Sequence, residues 1–214
     1  MELLKATNIS HHFDYQLFDD VFLTLNEKDS IAIIGKSGSG KSTLLNIFST
    51  LLKADKGELE LFGKNLKDMT KKELTSVKRE KLGIVFQSHY LFKGFSGYEN
   101  LKVASLLSNQ SIDNDLLVKI GINECINQKV TELSGGEQQR VSIARVLTKK
   151  PRIIFADEPT GNLDKDTAKD VMNLFFDYIQ KNNSAMILVT HDKDLAMKCK
   201  YVYELKEKRL HKIK

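Results

Sequence analysis

Apolar residues follow two rhythms along this chain. Continuous apolar runs occupy residues 31–34, 153–156 and 185–189, and runs of four or five suit strands buried on both faces, as in a parallel sheet. Residues 3–9 and 21–25 instead alternate and are rich in β-formers, predicting two strands joined by a polar turn, the start of an N-terminal antiparallel β subdomain. A helical spacing follows the first buried run in Leu44, Leu45, Ile47, Phe48 and Leu51, predicting a helix over 43–52. It recurs in Ala168, Val171, Met172, Phe175 and Ile179 between the second and third runs, which makes a βαβ unit. Between roughly 88 and 150 the pattern becomes mostly helical, with candidates at 99–107, 113–120 and 134–148. The predicted fold class is therefore α/β: one domain over 1–214 whose mainly parallel sheet carries an inserted helical subdomain.

A length of 214 residues fits one such core with a modest insertion. Hydrophobic residues at 41% and charged residues at 29% exclude a disordered or fibrous chain. The longest apolar run, 185–189, is far below the roughly 18 residues needed to cross a bilayer. Residues 1–5 lack the basic and apolar character of a secretory signal, so the chain is expected in the cytosol. Cys125 and Cys199 have no CxxC spacing and read as packing residues. The net charge of +5 is concentrated in residues 193–214, where eight Lys or Arg face three acids. Such a basic tail reads as a solvated face, and no nucleic-acid partner is expected.

Three motifs carry chemistry. Gly35-Lys36-Ser37-Gly38-Ser39-Gly40-Lys41-Ser42 fits G-x-x-x-x-G-K-[ST] between a predicted strand and a predicted helix. Its glycines let backbone N–H groups converge on phosphate oxygens at a helix N-terminus. Lys41 should reach the β and γ phosphates, Ser42 should bind Mg²⁺, and Thr43 should contact the α-phosphate. Asp157-Glu158 follows the buried run 153–156, at the sheet edge where ligands of such folds bind. Asp157 suits Mg²⁺ and Glu158 the attacking water. Ser134-Gly135-Gly136-Glu137 is a capping box with two glycines in the first helical turn, a costly choice that permits close approach to an anion.

With Leu133, this last motif reads LSGGE, and the sequence resembles the nucleotide-binding subunit of an ATP-binding cassette (ABC) transporter over essentially its whole length. The resemblance implies the P-loop ABC ATPase fold, ATP and Mg²⁺ as cofactors, and head-to-tail homodimers with ATP between residues 35–42 of one copy and 134–137 of the other. It assigns Gln87 to the loop that contacts Mg²⁺ and the attacking water, and His191 to the γ-phosphate. Gly161-Asn162-Leu163-Asp164 becomes the loop that meets the partner, with Asp164 at the nucleotide. Phe13 is the implied adenine-stacking aromatic, with Tyr15 its competitor. This chain has Lys36 where the family often has Pro, and Phe13 where it often has Tyr; neither removes a catalytic group. The implied partners are integral membrane permease subunits, docking a short helix near residues 88–107, and the implied location is peripheral, on the cytoplasmic face of the inner membrane.

Residues 133–164, 86–91 and 98–101 resemble the branch of lipoprotein-releasing (LolD) and MacB-type ATPases, with cell-division (FtsE) and peptide-exporter members as alternatives. A soluble cassette acting on DNA or ribosomes is the rival of another class. Only 92 residues, Thr43 to Ser134, separate Ser42 from Gly135, without sustained heptads, which leaves no room for the long coiled coil of chromosome-maintenance members.

Overall fold

A computed structural model describes residues 1–214. The alternating N-terminal segments are long antiparallel strands, β1 (Glu2–His12) and β2 (Gln16–Asn26). The first buried run is β3 (Ser30–Ile34), which leads through a glycine loop into α1 (Lys41–Phe48). Then come β4 (Lys56–Leu61), the short β5 (Lys64–Asn65), α2 (Lys71–Glu80) and β6 (Leu82–Val85). The helical stretch holds α3 (Gly97–Ser108), α4 (Asn114–Lys119) and α5 (Gly135–Thr148). The chain closes through β7 (Ile153–Asp157), α6 (Lys165–Lys181), β8 (Ala185–Val189), α7 (Lys193–Lys198), β9 (Tyr201–Lys206) and β10 (Arg209–Lys212).

Two sheets result. One is antiparallel in the order β2-β1-β4-β5; the other runs β10-β9-β3-β8-β7-β6 and is parallel except for its edge hairpin β9–β10. The continuous apolar runs are explained by the second sheet, because successive side chains of a strand point to opposite faces and both faces are covered. Ile31, Ile33, Phe155 and Ile187 pack with Phe18, Leu25 and Phe48 toward the antiparallel sheet and α1. Ala32, Ile154, Ala156 and Leu188 pack with Val141, Ala144, Met172 and Phe175 from α5 and α6. Cys125 and Cys199 are buried and unpaired. No helix is long and apolar enough to cross a membrane.

Two expectations need correction. The helix predicted over 43–52 runs from Lys41 to Phe48, because Thr50 turns left-handed at φ 65° and the N–H groups of Leu51 and Leu52 return to the Asn46 carbonyl. The basic C-terminal segment is not a tail but α7 and the β9–β10 hairpin, with Val202 and Leu205 buried in the sheet while Lys206, Lys208, Arg209 and Lys212 are exposed.

Candidate active site

The parallel strands β3, β7 and β8 end together, and the loops leaving them supply the site. Between β3 and α1, Gly40 caps the helix at φ 98°, and a Cβ there would lie 2.6 Å from Leu17 Cγ. Only glycine tolerates both the dihedral and the approach. The other α-helices begin at Thr70, Ser96, Asp113, Ser134, Asp164 or Asp192, whose side chains accept first-turn N–H groups. α1 alone has no side-chain cap and no acid in its first turn. Its positive end is left for an external anion. Lys41 Nζ folds across the loop and donates to the carbonyls of Gly35 (3.0 Å) and Lys36 (2.9 Å).

Asp157 ends β7 beside this loop. Burial holds its carboxyl above the ordinary value; the neighbouring Glu158 charge acts the same way, while the Ser42 hydroxyl and Lys41 ammonium oppose it. Glu158 is left-handed at φ 47°, with its N–H donating to Val189 O at 2.9 Å. Three donors from the loop after β8 hold its carboxylate. The His191 backbone N–H (2.9 Å) and ring Nδ1 (2.8 Å) meet Oε1, and the Thr190 hydroxyl meets Oε2 at 3.2 Å. A carboxylate only accepts, so His191 Nδ1 carries the proton of that bond.

Of the residues singled out in the sequence, a cleft of about 460 Å³ gathers Phe13, Gly35, Ser37, Gly38, Gly40, Lys41, Ser42, Thr43, Gln87, Asp157, Glu158 and His191. Lys36 acts in the loop through its carbonyl, and the buried Ser39 hydroxyl has no hydrogen-bond partner. Phe13 and Tyr15 both line the cleft. Ser134, Gly135, Gly136 and Asp164 lie outside it, at the starts of α5 and α6. These two starts are neighbours, since a Cβ on Gly136 would lie 3.5 Å from Leu163 Cδ2. The Ser134 hydroxyl is engaged with Glu137, and the Asp164 carboxylate is engaged with Asp166 and Thr167 as a helix cap. Sequence reasoning missed Thr190, which orients Glu158, and Leu17, which packs under Gly40. The signal for Thr190 was its place between the buried run 185–189 and His191.

The family profile described as ABC transporter matches residues 18–161. The chain belongs to the ABC transporter family. This cassette is 40% identical to the lipoprotein-releasing system ATP-binding protein LolD of Rickettsia conorii, over 98% of this chain and 97% of that protein. It is similar to the dimeric structure of a bacterial ABC transporter cassette, with a TM-score of 0.88 and 31% identity over 97% of this chain and 96% of that one. The same TM-score, 0.88, relates it at 30% identity to a dimeric post-hydrolysis cassette bound to ADP and Pi, again over 97% and 96% of the two chains. The cassette is the ATP-hydrolysing subunit of an ABC transporter, and its fold is the P-loop ABC fold.

Proposed function

We propose that this cassette powers lipoprotein release from a membrane, as one of two copies joined head to tail beneath permease subunits on the cytoplasmic face. Similarity to LolD along nearly the full length of both chains supports the cargo. The uncapped start of α1, facing a carboxylate held by three donors, is the observation that carries the chemistry.

In this reading, Gly35 to Thr43 hold the triphosphate, with Lys41 leaving its loop carbonyls to pair with the β and γ phosphates. Ser42, Gln87 and Asp157 are oxygen donors of the hard type that Mg²⁺ takes, and burial makes the Asp157 anion one that a cation stabilises. When bound, Mg²⁺ would neutralise charge on the β and γ phosphoryl oxygens. Glu158 orients the attacking water and takes its proton, held on line by His191 and Thr190. Gln87 orients the same water. Phe13 stacks on adenine. Ser134, Gly135, Gly136 and Asp164 serve the nucleotide of the partner copy, which accounts for their lying outside this copy's own cleft. Residues 88–150 act as the helical subdomain of a single cassette domain.

An apolar groove of about 510 Å³ between α2, α3 and α5 is lined by Leu51, Ile84, Phe92, Val103 and Leu107. Lys78, Arg79, Arg145 and Lys149 also line it, and no carboxylate does. That pattern supports docking of a short permease helix with an apolar face and an acidic residue. Reconstitution with a lipoprotein-releasing permease from the same organism tests the proposal. ATP-dependent release of an acylated lipoprotein from proteoliposomes is expected, whereas permease-stimulated ATPase activity without release would reject the cargo.

A further inference from the structure

His11, one residue before the end of β1, is a buried polar side chain that the reaction leaves unexplained. It is 7% exposed, and neither ring nitrogen has a hydrogen-bond partner. Burying an unpaired polar group is costly, so its place needs a reason. Its ring lies between two others. On the core side is Phe18, fully buried, with centroids 6.2 Å apart; on the cleft side is Phe13, 4.9 Å away and near-perpendicular at 86°. Asp55, just before β4, brings Oδ2 to 2.8 Å from His11 Nδ1, out of line for a hydrogen bond, so the contact is electrostatic. The same oxygen accepts the His12 backbone N–H at 2.8 Å and lies 3.0 Å from His12 Nδ1. The His12 N–H, with the two imidazoles adding to it, holds the Asp55 carboxyl below its ordinary value.

A chain of ring contacts therefore leads from the core to the rim of the cleft, Phe18 to His11 to Phe13, with the Asp55 carboxylate against His11. Phe13 is 54% exposed and otherwise free to turn. Tyr15, 62% exposed at the same rim, has no such ring behind it. An aromatic held in one orientation pays less ordering entropy when a base stacks on it. We infer that His11 is a positioning residue for nucleotide recognition: braced by Phe18 and Asp55, it fixes Phe13 as the platform for the base, and so favours Phe13 over Tyr15. The inference rests on the reading of this cleft as the ATP site.

The test compares two ligands on the full-length chain, ATP and inorganic tripolyphosphate, each with Mg²⁺ and measured by titration calorimetry. Tripolyphosphate reaches the loop at residues 35–43 but has no base. Ordering one free side chain on binding costs roughly a 2- to 10-fold change in affinity. His11→Ala should weaken ATP by about that factor and leave tripolyphosphate unchanged, which also shows that the loop is folded. His11→Phe, which keeps a ring beneath Phe13, should restore most of the loss. An equal loss for both ligands, or no loss for ATP, overturns the role of His11. So does a His11→Phe variant as weak as His11→Ala. Phe13→Ala separates this inference from the reading beneath it. If that variant keeps full ATP affinity, Phe13 is not the platform; if it loses affinity and His11→Ala does not, the inference alone fails.

Discussion

Glu158→Gln should remove hydrolysis while leaving the fold almost intact, and the site geometry explains why the two effects separate. The glutamine keeps an oxygen at the Oε1 position, where the two His191 donors point at 2.9 and 2.8 Å. Its NH₂ then replaces Oε2, opposite the Thr190 hydroxyl at 3.2 Å. That hydroxyl can reverse its role and accept, because only one of its two lone pairs is used, by the Asp192 N–H at 3.1 Å. No buried donor is left facing another donor. The structural cost is the difference between charge-assisted and neutral hydrogen bonds, about 1 kcal/mol in all. Basicity, by contrast, is lost outright, and a positioned general base contributes roughly a hundred- to ten-thousand-fold. Single-turnover hydrolysis at saturating MgATP reads the second effect and thermal unfolding the first. Hydrolysis within threefold of the wild-type rate would refute Glu158 as the base. A loss of more than about 3 kcal/mol in stability would refute the role-reversal argument.

Three further substitutions probe separate parts of the molecule. Ser134→Arg should block a closed dimer in sedimentation with MgATP while the single copy binds ATP nearly normally; equal loss of both would argue against a site completed by a second copy. Gly40→Ala should destabilise by roughly 1–3 kcal/mol in denaturant titrations, from the left-handed dihedral and the 2.6 Å approach to Leu17, and a second change, Leu17→Ala, should recover part of the clash but none of the dihedral cost. Burial, with the Arg145 charge adding to it, lowers the Lys149 pKa to about 8 from an ordinary 10.5, so the penalty for its buried charge is full below pH 8 and fades towards 10.5. Relative to wild type, Lys149→Met should therefore lose stability between pH 8 and pH 10.5, on top of a pH-independent loss from unpairing the carbonyls of Leu82 (2.7 Å) and Lys78 (3.1 Å). The comparison with wild type is needed because Cys199, pushed up to about 12, and Tyr178, pushed well above its ordinary value by burial, lower stability over the upper part of the same range.

The parts of the fold legible in the sequence were those decided by neighbours in the chain. Residues 31–43 announce strand, loop and helix through one apolar run and its glycines. Asp157 and Glu158 are legible because a buried strand ends there. α1 was overextended because Leu51 keeps the helical spacing, yet it is 52% exposed and Thr50 has already left the helix. α2 has no buried residue, so no apolar rhythm marks it; only its capping box, Thr70 with Glu73, does. In β9 and β10 the lysines hid a sheet edge whose inward positions are few. Thr190 carried only a positional signal, because its hydroxyl matters only once β7 and β8 pair and bring Glu158 beside it. Conversely, Ser134 and Asp164 read as ligand contacts, and each proves to spend its side chain on its own helix. In the two-copy arrangement a role at the partner's nucleotide falls to backbone N–H groups and to the open side of Gly135, where a Cβ would meet nothing within 4 Å beyond its chain neighbours and its own helix backbone.

The helix that begins at that open side is also tied to the segments that follow Gln87 and Glu158. Arg145 donates to the carbonyls of Tyr90 (2.9 Å) and His89 (3.4 Å), and His89 Nε2 meets Gly135 O at 3.0 Å. Gln139, 1% exposed, donates to Pro159 O at 2.8 Å, next to Glu158, and its own Oε1 is buried without a partner. An unsatisfied buried oxygen costs about 1–3 kcal/mol, and a leucine would fill such a place without that cost. What the amide supplies and leucine cannot is a directional link, so that α5 cannot shift without moving the segment after Glu158. With the arrangement proposed for two copies, whatever pulls on residues 134–136 from the partner's nucleotide acts on this copy's own glutamate through Gln139, and on Gln87 through His89 and Arg145. The two hydrolytic sites would then be coupled through Gln139 and Arg145 of α5 and through His89, which meets the start of that helix.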